Sequence, residues 1–179
     1  MNLGFDLDKV FVDYPLLLPD KVINRLYKKH ANGQLLYRIP SRPEQVLRKI
    51  IHIPFLRPGI KKNIAFLESL PKKDHKLYLI SSRFSFLKKA TKEITERHGL
   101  DKIFDEMYFN YENKQPHIFK NEVLKKLNLD RYVDDDFHLL KYVAKQNKKT
   151  QFFWLNPQKK NHMLTRNITA IYNLKDMLE

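Results

Sequence analysis

The chain opens on a short apolar run, Leu3-Gly4-Phe5, that ends in two aspartates, Asp6 and Asp8, and then changes period. Pro19-Asp20 predicts a helix over residues 21–31, which Gly33 breaks, and Ser41-Arg42-Pro43-Glu44 supplies a cap and first turn for a second helix reaching about Ile51. Pro54 and Pro58-Gly59 close that region, and Ile60, Ile64, Phe66, Leu67 and Leu70 form the apolar side of a third helix. Beyond it, short apolar runs at residues 77–82, 107–110, 132–135 and 151–156 read as strands. They alternate with amphipathic stretches at 85–98, 117–128 and 136–147, and residues 168–174 read as a last short strand. The chain has no internal repeat and no low-complexity stretch.

Strands alternating with helices of this length imply right-handed crossovers. The expected fold class is therefore α/β, a Rossmann-like parallel sheet with helices on both faces. In such sheets the working residues gather at the carboxyl ends of the strands. The polar residues that directly follow the apolar runs are Asp6 and Asp8, then Ser81 and Ser82, then Asp134, Asp135 and Asp136. All three sets are expected at one edge. Positions i and i+2 of a strand point to the same side, so Asp6 and Asp8 project together. Two anions that close repel unless a cation lies between them, which predicts a hard divalent metal, Mg2+ foremost. Alone, the Asp-x-Asp also suits a strand running into an acidic turn. Likewise, Ser81-Ser82 suits a turn, and residues 134–136 suit a helix cap.

Composition narrows the class. With 179 residues, 42% of them apolar, the chain can bury one good core with a small inserted subdomain. It has no cysteine, which excludes a disulfide framework, a thiolate nucleophile and a zinc-cysteine cluster. The N-terminus carries no basic segment followed by an apolar one, and no run approaches the roughly 18 apolar residues of a spanning helix. A cytoplasmic protein with no membrane partner is the expectation. The seven histidines show no paired metal-ligand spacing, and Trp154 reads as core of a late strand. Net charge is +14, and residues 14–58 hold nine basic residues against two acidic ones. Such a field attracts anionic ligands: nucleotides, sugar phosphates, nucleic acid or acidic lipid.

A phosphate monoester entering the strand-end edge would find a residue for each catalytic role. A metal can neutralise charge there, so that a carboxylate can attack phosphorus and form an acyl phosphate. A second carboxyl can move the protons of leaving group and water, and hydroxyl and ammonium groups can stabilise the equatorial oxygens. In this respect the chain resembles the haloacid dehalogenase (HAD) superfamily of phosphohydrolases, with four short motifs in order over nearly its whole length. Phe5-Asp6-Leu7-Asp8 is similar to the first motif, implying Asp6 as nucleophile and Asp8 as general acid/base, with Lys9 where the family usually has glycine. Leu77-Tyr78-Leu79-Ile80-Ser81 is similar to the second, implying that Ser81 binds the phosphoryl group. Tyr132-Val133-Asp134-Asp135 is similar to the fourth, implying Asp135 as metal ligand beside Asp134, in a metal set with Asp6 and Asp8. The third motif is a lysine with two candidates, Lys114 before Pro116 and Lys120 in the next helix. The short step from Leu127 to Asp134 favours Lys120 and the nucleotidase-like branch.

The resemblance further implies a core of residues 1–13 and 59–179, with residues 14–58 as a small helical cap inserted after the first strand. Arg25, Arg38 or Arg42 of that cap are candidates for a second phosphate. Ser82 and Arg83 are candidate substrate contacts. The expected activity is Mg2+-dependent phosphomonoester hydrolysis through an aspartyl-phosphate, on a small phosphorylated metabolite such as a nucleotide. The alternatives are a phosphatase of nucleic-acid ends, suggested by the basic cap, and a non-catalytic phosphate- or nucleic-acid-binding module that keeps the fold, suggested by Lys9 and the charge.

Overall fold

The computed structural model describes residues 1–15, 28–31, 34–71, 73–156 and 162–178. In chain order, strands β1 (Asn2–Phe5), β2 (Lys28–Ala31) and β3 (Gln34–Tyr37) precede helices α1 (Arg42–Ile51) and α2 (Lys61–Ser69). Then follow β4 (Lys76–Ser81), α3 (Lys88–Arg97), α4 (Leu100–Ile103), β5 (Glu106–Phe109), α5 (Pro116–Leu127) and β6 (Arg131–Asp134). The chain ends with α6 (Phe137–Gln146), β7 (Gln151–Leu155), β8 (His162–Thr165) and β9 (Ile168–Ile171). Seven strands form one sheet in the order β5-β4-β1-β6-β7-β9-β8, parallel throughout except where β8 runs against β9. The α/β, Rossmann-like fold class is thus the one expected.

Strand periodicity explains how the sheet is covered. Leu77, Leu79, Val133 and Phe153 point to one face, where they pack with Leu67, Ile94 and Leu100 from α2, α3 and α4. Their neighbours Tyr78, Ile80, Tyr132 and Phe152 point to the other, against Phe119, Val123, Leu139 and Val143 from α5 and α6. Both faces are therefore apolar, as a parallel sheet requires. At the centre, β1 must lie close to the chain entering β6. A methyl group at Gly4 would come within 2.3 Å of the Leu129 side chain and 3.0 Å of the Tyr132 ring, so a larger residue would force these side chains to shift.

Most helices begin and end where the sequence signals lie. Ser41 opens α1, its backbone N–H donating to Glu44 Oε2 at 2.9 Å. The Asp136 carboxylate caps α6 by accepting from the His138 and Leu139 N–H groups. Two differences concern the insertion and the C-terminus. Residues 28–31, expected at the end of a helix, form β2 and pair antiparallel with β3; the remainder of that expected helix, residues 21–27, lies outside the described residues. In the sequence, the Asn32-Gly33 dipeptide between these strands is one strongly favoured in two-residue hairpins, a signal that the helical reading of residues 21–31 set aside. Among the described residues the insertion is thus a hairpin followed by a helix, not helices alone. At the C-terminus β8 adds an antiparallel edge, and the last expected strand stops at Ile171 and gives way to a 3-10 turn, Leu174–Met177.

The ends of the insertion are stitched together. The Asp13 N–H donates to the Pro58 carbonyl at 2.9 Å and the Ile60 N–H to the Phe11 carbonyl at 2.7 Å. Between β1 and this junction the chain turns at Lys9, whose φ of 62° lies in the left-handed region that favours glycine. The loop therefore keeps the shape a glycine would provide, at a cost borne by a lysine. Lys9→Gly is expected to raise unfolding stability by about 0.5–1 kcal/mol, because the penalty of roughly 1–2 kcal/mol for a left-handed L-residue exceeds glycine's added chain entropy. Urea denaturation of the two proteins measures this, and a destabilised variant would contradict it.

Candidate active site

Parallel register brings the strand ends into line. Phe5 pairs with Val133, so the following residues, Asp6 and Asp134, emerge side by side, and Trp154 lies level with Asp134 on the next strand. The Asp6 N–H continues the ladder by donating to the Val133 carbonyl at 2.9 Å. Lys120 reaches this edge from the first turns of α5. Its buried Nζ donates to Asp6 Oδ1 and to Asp134 Oδ2, each at 2.7 Å. Asp134 also accepts from the Tyr132 hydroxyl at 2.9 Å and from the Asp136 N–H at 2.9 Å. It is the most fully satisfied carboxylate of the group, and it orients the lysine toward Asp6.

Asp6, Asp134 and Asp135 each present one oxygen such that all three lie within 4.8 Å of one another. Burial pushes the Asp6 carboxyl up to about 7, against the pull of Lys120, and the Asp134 and Asp8 charges add to the rise. Burial and the Asp134 and Asp6 carboxylates likewise raise Asp135 well above the usual carboxylate range. Burial alone would lower the Lys120 pKa, but Asp134 and Asp6 override it and hold the ammonium firmly protonated. Ionised together, the three carboxylates exceed the one lysine in charge, a surplus that protons hold off in the metal-free site. That surplus, carried by hard oxygen donors, fits a divalent cation such as Mg2+. Asp6, Asp134 and Asp135 would hold it.

Asp8 has a different setting from the other acids. Arg83 grips it with two bonds, Nε to Oδ2 at 2.9 Å and Nη2 to Oδ1 at 2.7 Å, and the buried Arg57 guanidinium also contacts Oδ1. Burial would raise the Asp8 carboxyl, but these two guanidinium groups hold it well below the usual range. Asp8 therefore stands apart from the three-carboxylate cluster. Ser81 is buried at the end of β4, and the Ser82 hydroxyl is enclosed with no hydrogen-bond partner among the described residues. Both serines line the same cavity as Asp6 and Lys120. Lys114 lies elsewhere, on the surface, paired with Glu112 and Glu122.

The cavity over the edge measures about 750 Å³. Its far wall comes from the insertion: Tyr14, Tyr37, Arg38 and Arg48, with His52 at the end of α1. Tyr37 seats β3 on the core. Its N–H donates to Gln115 Oε1 and its carbonyl accepts from Gln115 Nε2, both at 3.2 Å, while its hydroxyl donates to Asp136 Oδ2 at 2.8 Å. Arg42 instead is exposed on α1, and Arg25 lies outside the described residues. Trp154 is not simple core: its ring rests on Phe137 with centroids 4.8 Å apart, and its indole N–H donates to the Asp135 carbonyl at 2.9 Å. Arg57, Tyr37 and Trp154 carry no local motif, and only the general excess of basic residues in residues 14–58 hinted at the first.

No protein-family model matches the chain, and no curated protein sequence does. Solved structures do. The chain is similar to a protein assigned as a β-phosphoglucomutase from Thermotoga maritima, with a TM-score of 0.56 at 20% identity over 99% of this chain and 96% of that one. It is also similar to a HAD-superfamily hydrolase from Ehrlichia chaffeensis, with a TM-score of 0.54 at 11% identity over 97% and 92%. A third is the D,D-heptose 1,7-bisphosphate phosphatase of B. bronchiseptica, in complex with magnesium and phosphate, with a TM-score of 0.54 at 12% identity over 97% and 94%. The chain has the fold of the HAD-superfamily hydrolases.

The charges at this edge predict a pH signature. In the folded, metal-free protein Asp6 keeps its proton up to about pH 7, whereas an unfolded aspartate loses it near pH 4. Between those limits the unfolded state binds fewer protons, so this group removes stability as pH rises, and the loss is complete above about pH 7. The buried His52, held below its usual pKa by burial and the two arginines, acts in the opposite sense, and comparison with Asp6→Asn cancels its share. In chelator, Asp6→Asn is expected to gain stability relative to the parent between about pH 5 and pH 8. Added Mg2+ should then stabilise the parent more than the variant. Thermal unfolding midpoints test this, and a pH-independent difference would contradict it.

Proposed function

We propose that this protein is a Mg2+-dependent phosphomonoester hydrolase that works through an aspartyl-phosphate on Asp6. The observation that carries the reading is Lys120 held between Asp6 and Asp134 at 2.7 Å from each, beside Asp135, at the carboxyl edge of a HAD-like sheet. Magnesium, when bound by Asp6, Asp134 and Asp135, supplies positive charge that lets an anionic ester approach. The remaining chemistry belongs to side chains. The free Asp6 oxygen attacks phosphorus, the Asp6–phosphorus bond forms, and the ester oxygen leaves with a proton from Asp8. Water then attacks phosphorus, gives its proton to Asp8 and releases Asp6 as phosphate departs. Arg83 and Arg57 favour ionised Asp8, the form that accepts the water's proton, so protonation of the leaving oxygen requires their grip to loosen as substrate enters. Ser81 and the enclosed Ser82 hydroxyl offer donors to the phosphoryl oxygens, and Lys120 steadies the charge that develops on them.

The cavity supports a small substrate. About 750 Å³ is the size of a small-molecule pocket, and its lining brings together the aromatic Tyr14, Tyr37 and Trp154 and the basic Arg38, which pairs with Glu44, and Arg48. A phosphorylated metabolite such as a nucleotide suits that lining. A panel of nucleotides, sugar phosphates and phosphorylated oligonucleotides, with Mg2+ and with chelator, tests both parts. No turnover on any member would overturn the hydrolase reading, and preference for oligonucleotides would overturn the small substrate.

Asp6→Asn is expected to abolish turnover without unfolding the protein. Lys120→Ala should reduce kcat by about a hundredfold or more, because its ammonium acts on charge that grows toward the transition state, whereas Lys114→Ala should cost less than about tenfold. The reverse ranking in parallel kinetics would move the role to Lys114.

A further inference from the structure

Helix α1 is turned inside out. Its buried side carries Arg48, only 1% exposed, together with Ile51, and Arg48 lines the cavity. On the opposite side Val46 and Ile50, one turn apart, are 59% and 52% exposed, with Leu47 exposed beside them. The apolar surface continues past the helix end through Ile53, Leu56 and Phe55, which is 77% exposed. Exposed Arg42 and Lys49 flank the helix, and the Arg97 guanidinium lies 5.4 Å from the Phe55 ring centre. A helix that turns aliphatic residues to water and an arginine to the interior is shaped by contacts on both of its sides.

We propose that this face of α1 and the following turn docks on an anionic lipid surface. Charge chooses the occupant. A second copy docked by this face would bring the exposed Arg42, Lys49 and Arg97 of each chain to one contact, with like charges inside a Debye length. An anionic bilayer, by contrast, accepts the apolar ridge at the headgroup boundary while Arg42, Lys49 and Arg97 meet its phosphates. Among the described residues no helix is long and apolar enough to cross a membrane, but adsorption through one amphipathic face needs no such length. The proposal goes beyond the expectation of no membrane partner, which concerned spanning segments. It does not rest on the proposed hydrolysis.

Co-sedimentation of the full chain with phosphatidylcholine vesicles, with and without phosphatidylglycerol, is the test. Binding should be at least about tenfold stronger with phosphatidylglycerol and should weaken with salt. Ile50→Glu combined with Phe55→Ser should weaken it by at least about tenfold with the circular dichroism spectrum unchanged. Lys49→Glu, on the exposed flank, should weaken it too and carries the test if the double variant fails to fold. Absence of binding to phosphatidylglycerol vesicles, or equal binding by Lys49→Glu and the parent, would overturn the proposal. So would a dimer, detected by light scattering, that the double variant dissociates, since the face would then belong to a second copy.

Discussion

One buried ammonium holds the candidate site together. Asp6, Asp134 and Asp135 emerge on neighbouring strands because the parallel register leaves them nowhere else to go, and three such carboxylates repel strongly away from water. Lys120 answers part of that repulsion by bonding Asp6 and Asp134 at once, and Tyr132 and the Asp136 N–H satisfy what remains of Asp134. The compensation is incomplete by design of the residue set. The negative charge left over makes the edge receptive to a divalent cation and, with it, to a phosphate.

The insertion is coupled to that edge through a few long-range bonds. Arg57, at its end, reaches back to Asp8 and places its guanidinium 4.3 Å from the Tyr14 ring centre. Tyr37 ties the hairpin to Gln115 and Asp136, on either side of the Lys120 helix. The same segment therefore builds the far wall of the cavity and, through Arg57, shares with Arg83 in setting the charge of Asp8. A change in how the insertion sits would alter both the room available to substrate and the grip of Arg83 and Arg57 on the acid/base candidate.

The positive charge, diffuse in composition, is sorted by the fold. Arg48, Arg57, Arg83 and Lys120 are buried around the candidate site, where each faces acidic groups or lines the cavity. Arg42, Lys49 and Arg97 stay outside, around exposed aliphatic and aromatic side chains. These two sets have different chemistry, although nothing in the count of lysines and arginines separates them.

By itself, the sequence determined the alternation of strand and helix, the α/β class and the strand-end residues Asp6, Asp8, Ser81, Ser82, Asp134 and Asp135. It could do so because burial imposes a period on each element and parallel sheets deliver their C-terminal residues to one edge. It narrowed the third-motif lysine to two, and the helix that carries Lys120 then placed that residue against Asp6 while Lys114 stayed at the surface. Tertiary structure alone decided the Arg57 and Arg83 clamp on Asp8, the seat of Tyr37, the reversed face of α1 and the antiparallel β8 edge. The clamp and the Tyr37 seat join residues tens of positions apart, and a hydrophobic period records how deeply a side chain is buried, not which distant partner or sheet edge it meets.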